Sequence, residues 1–247
     1  MPLALVTGGA RRLGAHIAAR LAEAGYDLAV QSRSGDAPEE FLTERLGARR
    51  FEMFVADFDD AEAVSRLPGI VADRLGQPID LLINCASRFA AMDGADCAYD
   101  RVMELVRTNL AAPVALAKAV ADGRSGVAIV NILDQRIVNP PIDQLAYTMS
   151  KQALAEATRT LALALAPRAR VNGVAPGLVL PTDEYADGQF DRVGALMPLG
   201  RNARAEEVAD AVLWLAQAPA VTGQIIFVDS GAHLKSFERD FVHLARD

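Results

Sequence analysis

The sequence is poor in the residues that build several kinds of protein. It has two cysteines, Cys85 and Cys97, in 247 residues, which excludes a disulfide framework and points to a reducing compartment. No CxxC or Cys/His spacing suited to zinc occurs, and the three histidines, His16, His233 and His243, are scattered without matched carboxylates, so no metal site is expected. Aromatic residues make up 6% and there is one tryptophan, Trp214, which fits the apolar stripe of Val208, Val212, Leu213 and Leu215 and is expected in the core. Basic residues number 25 against 32 acidic, a net charge of −7, which offers nucleic acid and anionic membranes no general attraction. No apolar run is long enough to span a membrane, and the first one passes after about five residues into a glycine cluster, too short for a secretory signal. The expectation is a cytoplasmic protein with small-molecule partners.

What is present is apolar sequence, 51% of the chain, arranged in alternation. Short buried-strand patterns at 3–7, 27–32, 50–56, 80–85, 127–132, 169–174 and 224–229 are separated by helical patterns at 13–24, 38–46, 61–75, 101–121, 147–166 and 204–216. This order predicts a single-domain Rossmann-type α/β fold over residues 1–247. About seven parallel strands would be doubly wound with helices on both faces, and ligands would lie at the carboxyl ends of the strands. Residues 178–200 mix Pro181, Gly188 and Pro198 with acids and no clear period, as a substrate loop would. Residues 152–166 are nearly apolar around the whole helix, which predicts a second buried face and a homo-oligomer, dimer or tetramer, through the 101–121 and 147–166 helices. The tail from 235 to 247 carries Phe237, Phe241, Val242 and Leu244 among charges, and either closes the site or packs on a neighbour.

Thr7-Gly8-Gly9-Ala10-Arg11-Arg12-Leu13-Gly14 links the first strand to the first helix. Gly8 permits a tight turn, Gly14 a close helix–strand approach, and the helix amides face a pyrophosphate, so the segment reads as a dinucleotide site. The acid that would hold an NAD ribose is missing after the second strand. Gln31-Ser32-Arg33-Ser34 stands there instead, and with Arg11 it supplies two guanidinium groups and a hydroxyl for a 2′-phosphate, which predicts NADP(H). The acids Asp57-Phe58-Asp59-Asp60 lie where a strand gives way to a helix and suit capping and adenine contact better than a cation. Tyr147 and Lys151, four apart at a helix start, share a face, and an ammonium beside the phenol would favour the phenolate and draw its pKa down toward neutrality.

With these motifs in this order, the chain resembles the short-chain dehydrogenase/reductases over essentially its full length. The resemblance rests on the glycine turn, Asn84-Cys85-Ala86-Ser87 after the fourth strand, Asn109, the Tyr147/Lys151 pair and Pro176-Gly177. It implies an NADP(H)-dependent oxidoreductase whose cofactor would contact Gly8, Arg11, Arg12, Leu13, Gly14, Arg33, Ser34, Asp57, Phe58, Asn84, Ala86, Ser87, Tyr147, Lys151, Pro176, Gly177 and Val179. Asn109 would support a proton-relay water. Two departures narrow it: Asp134 replaces the usual serine 13 residues before the tyrosine, and Arg12 replaces the middle glycine. Both, with the NxASxF pattern ending at Phe89, resemble the pteridine reductases and the related dihydromonapterin/dihydrofolate reductases of tetrahydropterin biosynthesis. For a flat nitrogen heterocycle, Phe89 would stack on the ring, Arg12 and Ser87 would bond its heteroatoms, and Asp134 with Tyr147 would relay a proton to a ring nitrogen. The competing expectations are a reductase of another carbonyl compound (a 3-oxoacyl thioester, sugar or quinone) and an NADP-binding protein without turnover.

Overall fold

The computed structural model describes residues 1–89, 94 and 97–246. Seven strands form one parallel sheet: β1 (Leu3–Thr7), β2 (Asp27–Ser32), β3 (Phe51–Val55), β4 (Leu81–Asn84), β5 (Val127–Ile132), β6 (Ala169–Pro176) and β7 (Ile225–Val228). Their order is β3-β2-β1-β4-β5-β6-β7, so successive strands are added on one side up to β3 and on the other from β4, and the switch lies between β1 and β4. Register runs Leu5 to Ala29 on one side of β1 and Leu5 to Leu82 on the other. Crevices at such switch points are where doubly wound sheets hold their ligands.

Alternation along the strands explains the two layers. In β1, Leu3 and Leu5 point into a core shared with α3 (Ala61–Leu75), α5 (Ala112–Ala121) and α6 (Leu145–Ala164). Ala4 and Val6 point the other way, into a core with α1 (Arg12–Glu23), α2 (Glu40–Arg45) and α8 (Ala205–Gln217). Both faces of the sheet are therefore buried, which is why its strands read as continuous apolar runs. Asp60 caps α3 by accepting from Glu62 N and Ala63 N at 2.8 and 3.3 Å, as the sequence predicted for this acidic run.

Three expectations need correction. The 101–121 segment is not one helix: α4 (Tyr99–Val106) and α5 are joined by a single π-helical turn, Arg107–Ala111, with Pro113 in the first turn of α5. A π turn inserts an extra residue without changing the apolar period enough to be seen in sequence, and here it carries Asn109. Trp214 is not in the core but 53% exposed. The buried face of α8 is Val208, Val212, Leu215 and their neighbours, and 100° per residue turns Trp214 away from it. The irregular stretch before α8 contains α7 (Gln189–Ala195), fixed by its buried Gln189 and Val193.

Candidate active site

The glycine turn is dictated by space. Gly8 sits at φ +62°, and a Cβ there would meet Ala86 Cα at 2.8 Å; a Cβ on Gly14 would lie 2.1 Å from the Gly8 carbonyl oxygen. Thr7 Oγ1 accepts from Cys85 N and Ala86 N at 3.0 and 3.1 Å, locking the end of β4 to the turn. Buried Gln31 stands at the end of β2, accepting from Gly8 N at 3.0 Å and donating to Ala56 O at 2.7 Å. The N-cap residue Arg11 makes no capping bond to α1, but Glu39 Oε1 accepts from Arg12 N at 3.2 Å, so one of the first amides of the helix is already engaged. Arg12 itself occupies the left-handed region at φ +51°. Its guanidinium donates to the carbonyls of Pro181 at 3.0 Å and Leu180 at 3.4 Å, drawing the 178–200 segment over the turn.

The crevice is a cavity of about 500 Å³. It collects Gly8, Arg11, Arg12, Leu13, Gly14, Ala86, Ser87, Phe89, Asp134, Tyr147, Lys151, Pro176, Gly177 and Val179 from the expected set. A second cavity of about 340 Å³ continues from it past Arg33, Asp57 and Phe58. Ser34 lines neither cavity; with Arg11 it engages Asp36, Ser34 Oγ donating at 2.6 Å and Arg11 pairing at 3.6 Å. Asn84 lies behind the wall, buried, donating to Asn131 Oδ1 at 2.8 Å. Asn109 is a strut rather than a wall residue. Its Oδ1 accepts from Arg88 N at 2.8 Å and Ser87 Oγ at 3.2 Å, and its Nδ2 donates to Arg88 O at 2.9 Å and Ser150 Oγ at 3.0 Å. It thereby ties the segment after β4 to α6.

At the base of the cavity, Tyr147 Oη donates to Asp134 Oδ2 at 3.1 Å. Lys151 Nζ donates to Ile132 O at 2.9 Å and lies 5.7 Å from the centre of the Tyr147 ring. The phenol does not follow the sequence expectation. Burial and then the Asp134 carboxylate push its pKa well above the ordinary value, and Arg136 opposes them only in part. Burial likewise draws the Lys151 ammonium down. The phenol is thus held protonated, first by burial and then by the carboxylate in direct contact, with the ammonium not in contact to oppose them. Phe89, 46% exposed, meets the Tyr147 ring edge-on at 4.9 Å and lines the cavity beside it.

One contributor, Arg136, was missed by sequence reasoning, and a second, the tail, was left between closing the site and packing on a neighbour. Arg136 lies in the short turn after β5, 5% exposed, over the rings of Tyr147 and Phe89 at 5.0 and 5.9 Å. The tail, described to Arg246, folds back on its own chain, and Asp240, Phe241 and Val242 line the cavity with Tyr185. The only hint in the sequence was the apolar content of the tail; nothing local ties residue 240 to residue 136.

A buried phenol–carboxyl pair beside an ammonium, at the switch point of a parallel sheet with a glycine turn, defines a dinucleotide-dependent oxidoreductase. The model of the family described as enoyl-(acyl carrier protein) reductase matches residues 8–233, and the chain belongs to the short-chain dehydrogenase/reductase family. It is 34% identical to pteridine reductase 1 of Leishmania tarentolae, over 94% of this chain and 96% of that one. It is 35% identical to galactitol 2-dehydrogenase of Rhizobium johnstonii, over 92% and 93%. The crystal structure of FolM alternative dihydrofolate reductase 1 from Brucella suis in complex with NADP superposes with a TM-score of 0.88, at 34% identity and 96% coverage of each chain. Among the described residues no cluster of metal-ligating side chains occurs, and no helix is long and apolar enough to cross a membrane.

Proposed function

We propose that this protein is an NADPH-dependent reductase of a dihydropterin or dihydrofolate. The observation that carries the reading is Asp134 in the serine's position, one carboxylate oxygen bonded to Tyr147, in a cavity that Phe89 also lines. A hydroxyl there would polarise a ketone; a carboxylate cannot donate to one, but it can hold a phenol that protonates a ring nitrogen. The substrate ring would lie against Phe89, with Ser87 and Arg12 at its edge, under the 178–200 loop and the tail.

The dinucleotide fits the residues present. The cradle at Gly8 and Gly14 closes if either carries a Cβ, and Arg33 opens onto the second cavity beside Asp57 and Phe58. NADPH, when bound, supplies a hydride to ring carbon. Tyr147, kept protonated by burial and Asp134, gives its proton to the adjacent nitrogen as that atom becomes basic. Arg136 and Lys151 flank the negative charge then left on the Tyr147–Asp134 pair. Asn109 keeps Ser87 and Arg88 in register with α6.

The same reading includes a cytoplasmic setting and a homo-oligomer. The outer surface of α6 supports the latter, with Met149 exposed and Leu163 83% exposed on a helix whose inner side is already buried. The test is NADPH oxidation by the purified protein with dihydrobiopterin, dihydromonapterin, dihydrofolate and a 3-oxoacyl thioester. Fast turnover of a pterin or folate is expected. Turnover of the thioester alone, or NADPH bound without any turnover, would overturn the assignment.

A further inference from the structure

Asp134 divides its two oxygens. Oδ2 accepts from Tyr147, while Oδ1 accepts from the backbone N of Arg136 at 3.0 Å and from its Nε at 3.1 Å. The rest of the Arg136 fork reaches two other parts of the fold. Nη1 donates at 2.5 Å to Gln144 Oε1, and Gln144, at φ +56°, begins the helix that presents Tyr147 three residues later. Nη2 donates at 2.6 Å to Asp240 Oδ2 from the tail. One planar group therefore touches the carboxylate, the start of the phenol's helix and the C-terminal segment together.

Asp240 is itself fixed. Its backbone N donates to both oxygens of Asp143 at 2.9 and 3.1 Å, its Oδ1 accepts from Val242 N at 3.0 Å, and Gln189 Nε2 donates to the carbonyls of Val242 and Leu244. Burial alone would pull the Arg136 guanidinium down, but Asp134 and Asp240 on either side more than offset it and hold it charged. A buried ion pair is rarely the best way to stabilise a fold, and apolar residues of the same volume often do better. Its location at the cavity wall calls for another reason.

We infer that Arg136 is a positioning residue for proton delivery, turning Asp134 so that Oδ2 meets Tyr147, and that Asp240 is the counterion by which the tail holds Arg136 in that pose. The inference rests on the reading above that Tyr147 and Asp134 deliver the proton, though not on which ring receives it. The charged and titratable groups around Arg136 are Asp134 at the end of β5, Tyr147 and Lys151 on α6, Tyr185 in the loop and Asp240 in the tail. Behind Asp240 stand Asp143 and its partners Arg239 and His243.

The experiment uses the full-length protein with whichever of the four substrates it turns over. Arg136→Lys keeps the charge but loses the fork, and should lower kcat by about ten- to a hundredfold with NADPH affinity within about threefold. Asp240→Asn leaves the Arg136 charge less compensated beside the phenol, so the alkaline limb of kcat should move down by about half a pH unit or more. In Arg136→Gln/Asp240→Asn, where the positive charge is gone, the limb should move up. Opposite displacements are not what a merely structural role produces. Folded variants with kcat and limb unchanged within twofold would overturn the inference, as would a kcat loss matched by an equal loss of NADPH binding and melting temperature. If single Arg136 variants do not fold, Asp240→Asn decides alone. Tyr147→Phe and Asp134→Asn separate the two readings: if they are inactive while the Arg136 and Asp240 variants are normal, only the positioning role falls; if they turn over, the proton-donor reading falls first.

Discussion

The same substitution, glycine to alanine, should have opposite effects at two helical positions. At Gly69, inside α3 and exposed, a new Cβ meets nothing within 4 Å. Alanine there should stabilise by about 0.5–1 kcal/mol, through better helix propensity and a less flexible unfolded chain. At Gly14, inside α1, the new Cβ would fall 2.1 Å from the Gly8 carbonyl oxygen and 2.9 Å from Gly9 Cα. Ordinary carbon–oxygen contact is above about 3 Å, so the helix start and the turn must separate by roughly 1 Å, and the obstacle is backbone rather than a flexible side chain. Gly8 cannot retreat, because it already abuts Ala86. Overpacking of this kind costs about 1–3 kcal/mol, which exceeds the gain in propensity. For a chain of this size each kcal/mol is about 2–4 °C, so Gly69→Ala should melt about 1–4 °C above the parent and Gly14→Ala several degrees below it. NADPH at a hundred times its Kd should add about 2.7 kcal/mol to the parent and to Gly69→Ala, and clearly less to Gly14→Ala. Thermal unfolding with and without NADPH measures both effects. A Gly14→Ala protein that melts like the parent and gains the full NADPH increment would refute the turn as the pyrophosphate cradle.

Tyr147→Phe should reduce kcat by about a hundredfold or more with NADPH binding nearly intact, because only the transferable proton is lost. Since burial and Asp134 raise the phenol's pKa, loss of its proton should not limit reduction between pH 6 and 9; a falling limb near neutrality that disappears in Tyr147→Phe would contradict that direction. Arg33→Asp should weaken NADPH binding about tenfold or more and affect NADH far less, as read by titration of both. Phe89→Ala should raise the KM for a pterin severalfold while leaving NADPH affinity within about twofold; equal losses with a non-aromatic substrate would count against stacking. Cys85 lines the cavity, and burial pushes its thiol up to about 11, so at pH 8 only about one thiol in a thousand is ionised. Its alkylation by iodoacetamide should be slow and become faster as pH rises, and a fast reaction at pH 7 would be contrary.

Much of the fold was legible because each strand–helix pair writes its period into local sequence. All seven strands fall within two residues of their expected places, and the glycine turn and the Tyr147/Lys151 spacing lie on the elements that carry them. Boundaries and irregularities were less legible. The π turn at Arg107–Ala111 leaves the apolar period nearly intact, and Trp214 sits next to stripe residues that face the opposite way.

The sequence by itself determined the parallel sheet, the glycine turn and the presence of a carboxyl 13 residues before the tyrosine, because these depend on residue type and on spacing along one or two elements. Only the tertiary structure decided the electrostatics of the site. Whether Tyr147 is pulled toward phenolate or kept as a phenol depends on how far it is buried and then on which charge touches it, and the fold buries it with Asp134 in contact and Lys151 against a backbone carbonyl. The link from Asp134 through Arg136 to Asp240 spans more than a hundred residues of chain, a distance over which sequence carries no period and no spacing. Such a pair exists because folding excludes water from both charges together, and a buried guanidinium must then find its carboxylates wherever the chain brings them.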